Sequence, residues 1–357
     1  MTRREVFRAV GSASAASSLV TAWSLTRTAE AAGIPNPQGH KGLGGAPTAF
    51  IARNRANAQA TPPVDFIDYC HSLGLGGAEV MGGPPNDPEA LRKLRDKLQA
   101  WDMHILFNIR LPQSETDVPA FDTAVKNAGA VGAYAVHAAM TGRRYETFDT
   151  LEAYRKSFEQ NQKSVALAEP VLRKYKVRLA IENHKGWSAV EQAAWMKRIS
   201  SEYVGVYLDF GNNISFCEDP MFTLETLKPW IIGGHVKDMA VAPYPDGFLL
   251  AEVPMGEGFL DLKKMVQILR QKDPNMIFGL EMITRDPLKI PIFTDKYWVT
   301  FQDMPARQLA RMVEIVQKNP PRKPLPKVTG LTPAEQLKLE DDYNLACIRY
   351  ARENLGL

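Results

Sequence analysis

From about Thr48 to Lys318 the chain alternates short apolar runs with longer stretches of helical periodicity, eight of each, and no other feature restricts its fold as much. The expected strands are Thr48–Ala52, Gly76–Met81, His104–Ile109, Ala133–Ala139, Val177–Glu182, Val204–Asp209, Ile231–Val236 and Ile277–Met282. The expected helices are Val64–Leu73, Asp87–Ala100, Ala120–Asn127, Leu151–Lys174, Ala189–Ile199, Phe222–Leu227, Leu262–Gln271 and Met304–Lys318. Strands that alternate with helices pair in parallel, because the helix is the crossover that returns the chain to the same end of the sheet. Eight such units are most economically closed into a (β/α)8 TIM barrel, an α/β fold. An open doubly wound sheet is the competitor, but no glycine-rich phosphate fingerprint follows the first strand.

Four of these runs end in the same way. Ile181-Glu182-Asn183-His184, Leu208-Asp209-Phe210-Gly211-Asn212, Gly234-His235-Val236-Lys237-Asp238 and Phe278-Gly279-Leu280-Glu281-Met282 each bring a metal-ligating side chain to a strand end. The steps between Glu182, Asp209, His235 and Glu281 are 27, 26 and 46 residues, two strand-plus-helix units and a third with an extended loop. A barrel collects its active-site side chains at the C-terminal ends of its strands. Singly, each residue has an ordinary role: Glu182 could pair with Lys185, Asp209 could cap the next turn, and His235 could be a satisfied core histidine. Jointly, a buried carboxylate at successive strand ends is costly unless paired or metal-bound. Three carboxylates and one imidazole suit Mn²⁺, Mg²⁺, Co²⁺ or Zn²⁺. Strand-end position also directs His137 and His184 toward a substrate, with Glu79, Asn108, Arg110, Arg143, Lys185 and Trp187 as further candidates. Gly256-Glu257-Gly258 is expected to be a tight turn rather than a phosphate cradle.

These segments, with Val253-Pro254-Met255-Gly256-Glu257-Gly258, resemble the xylose isomerase-like TIM-barrel superfamily, and most of all its sugar isomerase/epimerase branch. The resemblance covers about residues 48–318 and is strongest from Val177 to Met282. It implies one divalent metal, Mn²⁺ first, on Glu182, Asp209, His235 and Glu281, with Glu182 and Glu281 as the acid/base pair. It implies a reaction that moves a proton next to the carbonyl of a carbohydrate. The chain departs from free-ketose epimerases of this family, which carry a His three residues after the Asp and an Arg beyond the seventh strand. Asn212 stands at the first place and no Arg lies near Met239–Asp246. Asn212, Lys237 and Asp238 are therefore expected to meet substrate hydroxyls instead. A lyase that eliminates the aglycone of a 3-keto-glycoside, and a non-catalytic carbohydrate-binding barrel, are the alternatives.

Composition narrows the partners. A net charge of +3 over 357 residues offers no electrostatic footprint for nucleic acid, so a small-molecule carbohydrate is the expected partner. Residues 1–31 have the layout of a twin-arginine export signal: Arg3-Arg4, a mildly apolar stretch from Ala9 to Leu25, then Ala29-Glu30-Ala31. That stretch is too short and too polar for a stable membrane span. Export to the periplasm argues against a sugar phosphate, a cytoplasmic metabolite, as substrate. Residues 32–47 are Gly/Pro-rich and expected to be a linker before a barrel at 48–318. Residues 319–357 form a Pro-rich connector and a final helix opened by Thr332, Pro333 and Glu335. That helix is expected to pack on the barrel or on a neighbouring subunit, the latter making a homo-oligomer. Cys70, Cys217 and Cys347 fit neither a disulfide framework nor a metal spacing.

Overall fold

The computed structural model describes residues 42–301 and 303–357, so the expected export signal and most of the expected linker lie outside the described residues. Eight parallel strands close into a barrel: β1 (Leu43–Gly45), β2 (Gly77–Met81), β3 (His104–Asn108), β4 (Ala135–Ala138), β5 (Leu179–Glu182), β6 (Val204–Asp209), β7 (Ile231–Val236) and β10 (Ile277–Leu280). Around the barrel their order is β1-β10-β7-β6-β5-β4-β3-β2. Three further strands, β8 (Asp238–Tyr244), β9 (Gly247–Val253) and β11 (Leu288–Ile290), make a separate antiparallel sheet ordered β11-β9-β8.

Local chemistry accounts for the crossovers. Asp87 accepts the amide of Ala90 at 2.7 Å with Pro88 in the first turn, which starts the helix Pro88–Ala100. Ser188 and Glu191 close a capping box on the helix Ala189–Ile199. In the helix Leu262–Lys272 the buried residues are Leu262, Met265, Val266 and Leu269, a single stripe at i, i+3, i+4 and i+7. Each such side chain, removed from water, contributes about 1.5–3 kcal/mol before ordering costs.

The first strand differs from expectation. Thr48–Ala52, an apolar run, is instead a turn of 3-10 helix (Pro47–Phe50) leading into the helix Ile51–Gln59, because Pro47 occupies its first position. The barrel begins earlier, at Leu43-Gly44-Gly45, within the stretch expected to be linker. Bulk explains the exchange. A Cβ on Gly44 would stand 2.7 Å from His104 Nε2, and one on Gly45 would stand 2.7 Å from Cys70 Sγ. Only glycine fits at those two positions.

The C-terminal helix Pro333–Tyr350 opens on the expected Thr332/Glu335 capping box and lies against its own barrel. Glu340 accepts the amides of Ala52 and Arg53 at 2.9 and 2.8 Å, so it caps the helix Ile51–Gln59 from outside. Asp341 pairs with Arg53, and Asn344 Nδ2 donates to Ala49 O at 2.6 Å. No helix among the described residues is long and apolar enough to cross a membrane. All three cysteines are free and buried.

Candidate metal centre and active site

Strand register sets the ligands at one level. Asp209 stands opposite His235 across the β6–β7 pair, and His235 opposite Gly279 across β7–β10, two residues before Glu281. Glu182 closes β5. One ligand atom from each of Glu182, Asp209, His235 and Glu281 lies within 4.8 Å of all the others, and the four side chains are between 1% and 6% exposed. The structure thus brings together the whole ligand set expected from the sequence.

Each ligand is anchored by a second group. Glu182 Oε1 accepts from Asn212 Nδ2 at 2.7 Å, and its Oε2 lies 3.2 Å from His137 Nε2. Asp209 Oδ1 accepts the amides of Gly211 and Asn212 at 2.8 and 2.7 Å. Glu281 Oε1 accepts from Thr48 Oγ1 at 2.9 Å. His235 Nε2 is 2.8 Å from Glu79 Oε2, which leaves Nδ1 as a buried ring nitrogen without a hydrogen-bond partner. That nitrogen lies 3.7 Å from Glu281 Oε2 and 4.0 Å from Glu182 Oε2. A histidine fixed through one nitrogen by a carboxylate, with the other nitrogen facing acidic oxygens, is the arrangement of a metal-bound imidazole. The residues present therefore fit a divalent ion.

A second buried cluster adjoins the first. Glu79 holds both histidines: besides His235, its Oε1 accepts from Asn108 Nδ2 at 2.7 Å and lies 3.2 Å from His137 Nδ1. Glu79 was only a secondary candidate in the sequence, because a carboxylate inside β2 gives no sign of what it faces.

Charge inside the site is closely balanced. Lys237 Nζ is 2.7 Å from Asp209 Oδ2 and 2.8 Å from Glu281 Oε2, with Glu252 Oε1 at 3.9 Å. Glu252 in turn pairs with Arg285. Burial raises the Asp209 carboxyl despite Lys237 beside it. Burial would also raise Glu281, but Lys237 and His235 outweigh it and hold that carboxylate well below its usual range. Burial alone would lower the Lys185 ammonium, and Lys237 nearby pushes it the same way, to about 8.

A cavity of about 460 Å³ opens over β1 to β5, lined among others by Glu79, His137, Glu182, His184, His235 and Glu281. His137 and His184 thus stand at its wall, as expected. Asn212, Lys237 and Asp238, expected to meet substrate, do not line it and are each 1% exposed. Asn212 is consumed by Glu182, and it also accepts from Lys185 and Lys237. Asp238 accepts the amides of Met239, Gly256, Gly258 and Leu260 at 2.9, 2.9, 2.9 and 3.2 Å. The Gly256-Glu257-Gly258 turn therefore does wrap an anion, and that anion is the protein's own carboxylate. Sequence reasoning missed Thr48 and Glu252 altogether.

Comparison with known proteins agrees with this fold. The profile of the xylose isomerase-like TIM barrel family matches residues 67–304. A 3-oxo-isoapionate decarboxylase of Pectobacterium atrosepticum is 27% identical over 109 residues, which are 30% of this chain and 40% of that protein. The chain therefore spans well under half the length of that relative. An uncharacterised protein, YihM, of Escherichia coli K12 is 24% identical over 230 residues, 61% of this chain and 67% of its own. Among solved structures, a D-psicose 3-epimerase superposes with a TM-score of 0.52 at 13% identity, covering 88% of this chain and 100% of that one. At that identity the likeness is one of fold.

Proposed function

Because this chain belongs to the xylose isomerase-like TIM barrel family, we propose that it is a divalent-metal-dependent sugar isomerase or epimerase that moves a proton next to a carbonyl. The observation that carries the proposal is that Glu182 and Glu281, from non-adjacent strands, line one cavity together. Glu182, Asp209, His235 and Glu281 would hold the ion, with Mn²⁺ as the first candidate. Bound there, the ion supplies Lewis acidity that makes the carbon beside a sugar carbonyl more acidic.

The protein's own residues do the rest. Thr48 holds Oε1 of Glu281 and Asn212 holds Oε1 of Glu182, while Oε2 of Glu281 faces Lys237 and Oε2 of Glu182 faces His137. One carboxylate takes the proton and the other returns it, to the opposite face or to the neighbouring carbon. His137 is held between Glu79 and Glu182, where it is placed to bind a substrate oxygen. The Lys237 ammonium holds Glu281 ionised within the buried floor and opposes the rise that burial gives Asp209.

Incubation of Mn²⁺-loaded protein with free ketoses and aldoses in D₂O tests this reading. Deuterium entering the carbon next to the carbonyl supports it. A protein with full metal content that exchanges no proton with any sugar would be a binding barrel instead. We place the enzyme in the periplasm on the strength of residues 1–31; a reporter fused to that segment and retained in the cytoplasm would remove this part.

A further inference from the structure

Two oxygens of the ligand set already carry a cation of the protein's own. Asp209 Oδ1 is committed to the amides of Gly211 and Asn212, and Glu281 Oε1 to the Thr48 hydroxyl. Asp209 Oδ2 and Glu281 Oε2 are left to take a metal, and Glu281 Oε2 is also the oxygen 3.7 Å from His235 Nδ1. Lys237 Nζ sits on these same two oxygens, at 2.7 and 2.8 Å. A divalent ion on them becomes the near neighbour of an ammonium. Two cations that share one buried pair of carboxylates repel, because little water screens them there.

Glu252 offers that ammonium a second acceptor. Its Oε1 is 3.9 Å from Lys237 Nζ, and its Oε2 is fixed by Arg285 Nε at 3.1 Å, so the acceptor does not have to move. Glu252 is 2% exposed and belongs to β9, outside the ligand set. The lysine reaches it by rotation of a flexible, unbranched stem. Gly211 keeps the space beside that stem clear, since a Cβ there would stand 3.3 Å from Lys237 Cε. We propose that Lys237 is a resident cation that the metal displaces: the ion takes Asp209 Oδ2 and Glu281 Oε2, and the ammonium passes to Glu252. Lys237 is then a positioning residue that holds the two acids ready and, by having to leave them, sets the affinity for the ion. The small antiparallel sheet takes part in metal binding through Glu252. This inference rests on reading Glu182, Asp209, His235 and Glu281 as a metal site.

Calorimetric titration of the metal-free full chain with Mn²⁺ decides the matter. Lys237→Met is expected to bind Mn²⁺ about tenfold more tightly than wild type, since no ammonium has to leave. Glu252→Gln is expected to bind it about threefold more weakly, and this loss should vanish in the double variant, where no lysine needs a second acceptor. A lysine that only braces the two acids would give weaker binding in Lys237→Met; that result, or an unchanged affinity, would overturn the proposal and leave the metal site intact. A Glu252→Gln loss of equal size in both backgrounds would also overturn it, since Glu252 would then act only as a distant charge. Should Lys237→Met fold poorly, a crystal structure of Mn²⁺-bound wild type decides instead. Nζ within hydrogen-bond distance of Glu252 supports the proposal, and Nζ still on Asp209 and Glu281 overturns it. Wild-type protein that binds no Mn²⁺ would sink the metal site and the proposal together.

Discussion

Glu79 Oε2 and His235 Nε2 meet at 2.8 Å from strands β2 and β7, 156 residues apart. The bond assigns the histidine proton to Nε2 and turns the Nδ1 lone pair toward Glu182 and Glu281. Replacing Glu79 with Ala is expected to weaken Mn²⁺ binding about 10- to 100-fold while the fold survives. Competition against a fluorescent chelator would measure this, and an unchanged Kd would show that His235 needs no such support.

Lys237 bridges two carboxylates at 1% exposure. Lys237→Met leaves Asp209 and Glu281 buried without their cation, a change that costs on the order of 3–5 kcal/mol. Urea unfolding of metal-free protein should register that loss, and saturating divalent ion should restore part of it. A change under about 1 kcal/mol would mean that the two acids relieve their charge without help from the lysine.

His235→Ala and Glu182→Gln are each expected to lower bound metal, measured by elemental analysis after desalting. Glu182→Gln keeps the shape and one acceptor oxygen, so its fold should persist while proton exchange into substrate disappears. Full metal content in both variants would remove these residues from the ligand set.

Burial pushes the Glu340 carboxyl up to about 7, although the Ala52 and Arg53 amides oppose the rise. Between roughly pH 4.5 and pH 7 the folded chain holds a proton that the unfolded chain has released, so stability falls as pH rises through that window. Outside it the contribution is flat. In Glu340→Gln this slope vanishes, and the wild-type-minus-variant stability should decline by about 1 kcal/mol per pH unit at most. Parallel unfolding midpoints for the two proteins from pH 4.5 to 7 would contradict this.

Seven of the eight barrel strands were legible because apolar runs ending on polar residues mark buried strands directly. The eighth was not: Leu43-Gly44-Gly45 has almost no side chains to display a pattern, and its role is set by the bulk of His104 at the start of β3 and of Cys70 on the helix Phe66–Ser72. The β8–β9 hairpin was hidden for another reason. Asp246-Gly247 is a hairpin signal, but Pro243 and Pro245 beside it argue against a strand; both sit where the pairing ends at Tyr244↔Gly247. That Glu182, Asp209, His235 and Glu281 converge was legible from their residue types at the ends of apolar runs. The residues that hold it, Glu79, Thr48 and Asn212, were not legible in those roles, since each acts through a partner more than 25 residues away.

The sheet of β8, β9 and β11 has an interior of its own, built from Met239, Val241, Phe248, Leu250, Leu288 and Ile290 and backed by Tyr297 and Phe301. It is joined to the barrel by more than the turn in which Lys237 and Asp238 hand β7 over to β8: Tyr145, Ile214, Phe216 and Cys217, from the segments that follow β4 and β6, pack into the same interior, and Glu252 reaches to within 3.9 Å of Lys237 from β9. A loosening of this small sheet is therefore carried to the lysine that bridges Asp209 and Glu281 rather than confined to the sheet itself.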